Sequence, residues 1–153
     1  MTKFLATAAI CAGLTALALP ALSHSGATGI VKARMDAMTE IADGMKTLAA
    51  VVKARAGIDS ETTREAVATI NRHAAAIPEL FPDGSVHPKS EARQAIWDDW
   101  AAFTDIADDL AAAAAAMQGA VDDGDHTALR DAFAEAGDTC KRCHETFRLK
   151  KDG

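Results

Sequence analysis

The chain has no tyrosine, and five phenylalanines with two tryptophans bring its aromatic content to 5% of 153 residues. Strands draw on aromatic and β-branched residues, yet no run of Val, Ile or Thr makes up the deficit, and strand-helix alternation is missing as well. Prolines number four, too few to interrupt long helices often, and alanine is abundant throughout. That composition reads as all-helical. Basic residues are also in deficit: 16 Lys and Arg stand against 22 Asp and Glu, a net charge of −6. An acidic chain of this kind is a poor ligand for nucleic acid or anionic lipid, and it favours instead a soluble partner with a basic docking face.

A long stop-transfer pattern is lacking too. The one apolar run, Phe4 to Leu19, follows the lone positive charge of Lys3 and ends at Pro20, with Ala21 and Ser23 at the −3 and −1 positions of a cleavage site. This predicts a secretory signal peptide over residues 1–23 rather than a membrane anchor. Cys11 lies inside the run, in flanks that make a poor lipoprotein box, and leaves with it. Residues 24–153 remain as one domain with one core.

Within that domain, apolar residues recur at helical spacing in four segments. The first begins near Thr28, carries Val31, Met35, Met38, Met45, Leu48 and Val52 on one stripe, with Ala42 in the remaining slot, and closes at Gly57. The second starts at Asp59 or Ser60, places Val67, Ile70, Ala74 and Ile77 on one face, and ends before Pro78. Residues 78–89 form the one long connection. The third opens at Ser90 and steps through Ile96, Trp100, Phe103, Ala107, Leu110 and onward to Val121. Asp125 caps the fourth, which reads Leu129, Phe133, Ala136, Cys140, Cys143, Phe147. Four amphipathic helices predict an antiparallel up-down-up-down bundle, with both thiols on the inward face of the last helix.

The two remaining cysteines stand in Cys140-Lys141-Arg142-Cys143-His144. Two thiols at this spacing can each add to one vinyl group of a porphyrin, and the histidine after the second becomes the proximal iron ligand; this is the attachment pattern of a c-type haem. Zinc would need a second pair of comparable ligands, and none exists. A thioredoxin-like pair would sit in strand-helix alternation, and a disulfide would strain so short a loop. Export agrees with the motif, because bacterial haem attachment is completed outside the cytoplasmic membrane.

The mature chain resembles, along nearly its whole length, the cytochrome c-prime class of periplasmic haem proteins. The resemblance rests on residues 140–148, on Arg34-Met35-Asp36-Ala37-Met38 in the first helix, on Ile96-Trp97-Asp98-Asp99-Trp100, and on the loop 78–84. It implies a four-helix bundle with one covalent haem c, held through Cys140 and Cys143 with His144 as axial ligand. It further implies that Arg34 grips a haem propionate, that Trp100 packs on the haem, and that Phe147 and Arg148 lie near it, with Arg148 on the proximal side. One branch of the class closes the sixth iron position with a first-helix methionine and carries electrons. Another is five-coordinate and binds nitric oxide or carbon monoxide.

The decisive position is Met38. Thioether sulfur is a soft ligand suited to haem iron, although methionine at helical spacing is also a common core filler. The loop resembles that of the methionine-ligated branch, so the expectation is Met38 ligation and single-electron transfer between periplasmic redox proteins, with gas sequestration or sensing as the alternative. Catalysis is not expected, for no histidine or carboxylate falls on the stripe near Met38. The resemblance allows a homodimer, although a second apolar stripe is not evident. His73, His87 and His126 read as surface residues, and Asp122 to Asp125 as a turn without the later ligands of a calcium loop.

Overall fold

The computed structural model describes residues 27–150. The predicted signal peptide, residues 1–23, lies outside them. Among the described residues five helices follow one another: α1 Gly29–Ala54, α2 Glu61–Ala75, a one-turn α3 Ala95–Asp98, α4 Trp100–Asp123 and α5 His126–Phe147. A 3-10 turn, Pro78–Leu80, sits in the connection after α2. No β-strand occurs among the described residues. None of the described helices is long and apolar enough to cross a membrane.

Local chemistry sets the helix ends. Ser60 Oγ accepts from the Thr63 amide at 3.2 Å to start α2, and Thr63 Oγ1, wholly buried, donates to Gly57 O at 2.6 Å. Asp125 Oδ1 accepts from the amides of Thr127 (2.8 Å) and Ala128 (3.0 Å) at the head of α5, which holds its carboxyl below the usual carboxylate range. Between α4 and α5 the chain reverses through Gly124, whose φ of 68° is one that a β-carbon would penalise.

Cross-links fix the directions of the helices. Glu40 of α1 meets His73 of α2 at 2.7 Å, so the predicted surface histidine instead ties two helices together, its side chain 20% exposed. Asp109 of α4 meets Arg142 of α5 at 2.9 Å. Phe81, just past α2, packs on Phe103 near the start of α4. Helices α1 and α4 therefore run one way and α2 and α5 the other, as expected for the up-down-up-down bundle. Helix α1 packs on α2, α2 on α4 and α4 on α5, while α1 and α5 touch far less. The fourth seam of the bundle stays open.

Two elements depart from the sequence reading. The third segment is not continuous from Ser90: Asp99, at φ −133° and ψ 64°, breaks it, and its Oδ1 caps α4 by accepting from the Ala102 amide at 3.2 Å. Aspartate competes for backbone hydrogen bonds in this way, which apolar stepping does not register. On α1, the face buried against the bundle is Val31, Arg34, Ala37, Ile41, Gly44 and Leu48. The methionine stripe lies beside it, half-buried. A glycine and an arginine in the true core row hide that row from a hydrophobicity count.

Gly44 has a packing reason. A β-carbon there would lie 2.8 Å from Ile70 Cγ1 and 3.2 Å from Ala66 O, so its absence lets α1 sit close on α2. Gly44→Ala should lower stability by about 1–3 kcal/mol through overpacking. Gly119, within α4, has open space around the same position. Gly119→Ala should raise stability by ~0.5–1 kcal/mol from helix propensity. Urea unfolding of the two variants checks both signs; a neutral Gly44→Ala would mean that the α1–α2 contact is looser than described.

Candidate functional site

The open seam between α1 and α5 is a cavity of about 780 Å³. Its α5 wall is Gly137, Thr139, Cys140, Cys143, His144 and Phe147, and its α1 wall includes Met35, Met38 and Met45. Phe103, Ala107 and Leu110 of α4 form the floor. The stepping of α5 turns Cys140, Cys143 and His144 to the cavity, and Arg142, within the same motif, away from it toward Asp109.

Both thiols are free and half-buried. Burial pushes the Cys140 thiol up, and burial together with the neighbouring Cys140 pushes Cys143 to about 11. They stand as neutral thiols at physiological pH. His144 is shifted the other way: burial first, then the positive charge of Arg148, lowers its pKa, with Glu91 opposing. The imidazole is therefore held neutral, the form that lends a lone pair to a metal. Arg148 lines the cavity and is pinned by Glu91 Oε2, at 2.6 Å from Nε and 2.5 Å from Nη2.

Phe147 is 3% exposed and meets Phe103 edge-on at 5.4 Å. Trp100 requires a correction. It does not line the cavity; it is 40% exposed, its ring 5.4 Å from Phe103. The break at Asp99 makes Trp100 the first residue of α4, where a side chain leans past the helix end, and Phe103 takes the inner position. Phe81 and Phe103, which the sequence reading did not assign to the site, are the aromatic lining along with Phe147. Phe103 was visible on the third stripe, whereas Phe81 comes from the loop and carries no periodic signal.

Arg34 is 4% exposed. Nε and Nη2 donate to Leu80 O at 3.1 and 2.9 Å, Nη2 also to Ser85 Oγ at 2.8 Å, and Nη1 to Ser90 Oγ at 3.0 Å. The guanidinium lies 4.1 Å over the Phe81 ring. Of its five N–H donors, this leaves a single one on Nη1. The predicted two-pronged grip on a propionate is not available while these bonds hold. The side chain is neither free nor at the surface.

The three cavity methionines are separated by height. Arg34 bonds Ser90, and Ala92, two residues on, pairs antiparallel with Arg148, so positions 34 and 148 share one end of the seam. Counting inward along two antiparallel helices of equal rise, Met38 falls level with His144 and Met45 level with Gly137. Carboxylates do reach the cavity from outside the methionine stripe: Asp43 pairs with Lys46 at 2.8 Å, and Glu91 with Arg148.

Two thiols, one neutral imidazole, thioethers opposite and mainly apolar walls of this volume suit a flat, covalently held haem. Comparison with known proteins agrees. The family model described as Cytochrome C' matches residues 29–148. A cytochrome c-556 of Agrobacterium tumefaciens (strain B2A) is 36% identical over 123 residues, covering 80% of this chain and 99% of the relative. A cytochrome c' of Rhodopseudomonas palustris (strain ATCC BAA-98 / CGA009) is 32% identical over 125 residues, covering 81% and 84%. Among solved structures, a mutant of cytochrome c prime from Alcaligenes xylosoxidans in its nitric oxide complex superimposes with a TM-score of 0.73 at 31% identity, covering 80% and 94%.

Cys140→Ala combined with Cys143→Ala should abolish covalent attachment, so that acid-acetone extraction strips all haem from the protein. The emptied seam should then lower helicity and thermal stability, since an unfilled core cavity is destabilising. Haem retained through extraction would overturn the assignment of the motif.

Proposed function

The chain belongs to the cytochrome c' family and carries one covalent haem c, and on that premise we propose that it is an exported, periplasmic carrier of single electrons with His144 and Met38 as axial ligands. When bound, the haem supplies a one-electron iron couple. Cys140 and Cys143 hold it to α5. His144, kept neutral by burial and by Arg148, would supply a lone pair to the iron. Mainly apolar walls exclude water, which raises the reduction potential.

The height of Met38, level with His144 across the seam, carries the reading. A thioether there lies about two helical turns nearer the level of His144 than Met45 does, and it offers soft ligation that again raises the potential. The acidic surface supports a periplasmic redox partner presenting basic groups. Gas binding at a five-coordinate iron is the second reading. The nitric oxide complex solved for the related Alcaligenes protein favours it.

Ligand replacement separates the two. Met38→Ala should convert a low-spin ferric spectrum to high-spin, lower the potential and admit carbon monoxide readily. Met35→Ala and Met45→Ala should leave the spectrum unchanged and lower stability by roughly 2–5 kcal/mol at most, as packing changes do. A protein low-spin in Met38→Ala would mean that another residue ligates.

Export has its own check. Intact mass of the haem-bearing protein from the periplasmic fraction should place the mature N-terminus at or within a few residues of His24. Retention of Met1 on that protein would remove both the signal peptide and the compartment from the account.

A further inference from the structure

Among the described residues, Arg34 is the one buried side chain that carries a charge. A buried cation persists only where its donors are satisfied, and every acceptor it meets is a neutral oxygen of the 78–90 segment: Leu80 O, Ser85 Oγ and Ser90 Oγ. Phe81 covers one face of the guanidinium. These contacts span 46 to 56 residues of sequence and join the first turns of α1 to the strap that closes one end of the cavity. Met38 stands one turn further along α1. Beyond it, Glu40 is tied to His73, and Gly44 rests on Ile70. The cavity side of this stretch has little to brace it, because α1 and α5 barely touch.

We propose that Arg34 is the positioning residue of the site: by clasping the 78–90 segment it fixes the turn of α1 that presents Met38 to the cavity. The inference rests on the reading of Met38 as sixth ligand, and it assigns Arg34 a task other than gripping a propionate. With the clasp formed, α1 is held on both sides of Met38, by the strap before it and by α2 after it. With the clasp released, the first turns of α1 are held from one side, and the thioether spends part of its time away from the level of His144. The apparent on-rate of an external ligand then rises with the fraction of open protein.

Two variants of the holoprotein test this. Ser85→Ala with Ser90→Ala removes both hydroxyl acceptors but keeps the guanidinium and any contact that its charge makes with a carboxylate. Arg34→Gln removes the clasp and the charge together. The double serine variant should bind carbon monoxide in the ferrous state about tenfold faster or more, and its ferric spectrum should gain a high-spin component. Arg34→Gln should move further the same way; if it fails to fold, the serine variant decides. An unchanged carbon monoxide rate and spin state in the serine variant, even with a lower melting temperature, would overturn the proposal and leave the clasp as packing. Should the wild type itself be high-spin, the Met38 reading fails by itself. The clasp still predicts the faster rate in the serine variant, because α1 forms the cavity wall, and an unchanged rate would again overturn it.

Discussion

A bundle that is to hold a flat prosthetic group must keep one helix seam apart while the other three close, and the whole structure follows from how α1 and α5 are kept from collapsing on each other. Hydrophobic burial by itself would shut a 780 Å³ gap. What opposes it is attachment of α1 elsewhere. Gly44 lets α1 sit deep on Ile70, Glu40 grips His73, and Arg34 is fastened to the strap after α2. On the other side, Arg142 bonds Asp109, drawing α5 toward α4. Each wall of the seam is thus held by the helix behind it.

The core divides accordingly. Away from the haem end, Leu48, Val67, Ile70, Met117 and Leu129 are fully buried and fill the bundle with aliphatic volume. At the haem end the filling is aromatic: Phe103 contacts both Phe81 (4.9 Å) and Phe147 (5.4 Å) edge-on. Rigid rings supply a wall that keeps its shape around a planar guest with little side-chain entropy to lose. The same end carries the antiparallel pairing of residues 91–93 with 147–149, which ties the end of α5 to the segment just after the strap through Arg93 N to Phe147 O at 2.9 Å and Leu149 N to Glu91 O at 2.7 Å.

Much of this was legible in the chain. The stepping of α5 put Cys140, Cys143 and Phe147 on one face, and the caps at Ser60 and Asp125 fall where the side-chain chemistry demands. Other features were hidden because they depend on residues distant in sequence. The burial of Arg34 is decided by acceptors in the 78–90 segment, so the propionate grip does not anticipate it. The inner row of α1 reads as polar because it includes Arg34 and Gly44, which made the methionine stripe look like the core when it is the cavity wall. The family resemblance set Trp100 on the haem and the unbroken stepping set it on the inner stripe, but one aspartate, Asp99, restarts that helix and leaves the ring 40% exposed at the first residue of α4. Periodicity finds faces; it does not say what each face meets.

The account turns on a sulfur atom opposite His144. Near-infrared magnetic circular dichroism of the ferric wild-type protein reads the sixth ligand without any substitution. Ligation by Met38 predicts a low-spin spectrum with a sulfur-to-iron charge-transfer band. A high-spin ferric spectrum with no such band would contradict it and leave a five-coordinate, gas-accessible iron as the function of this fold.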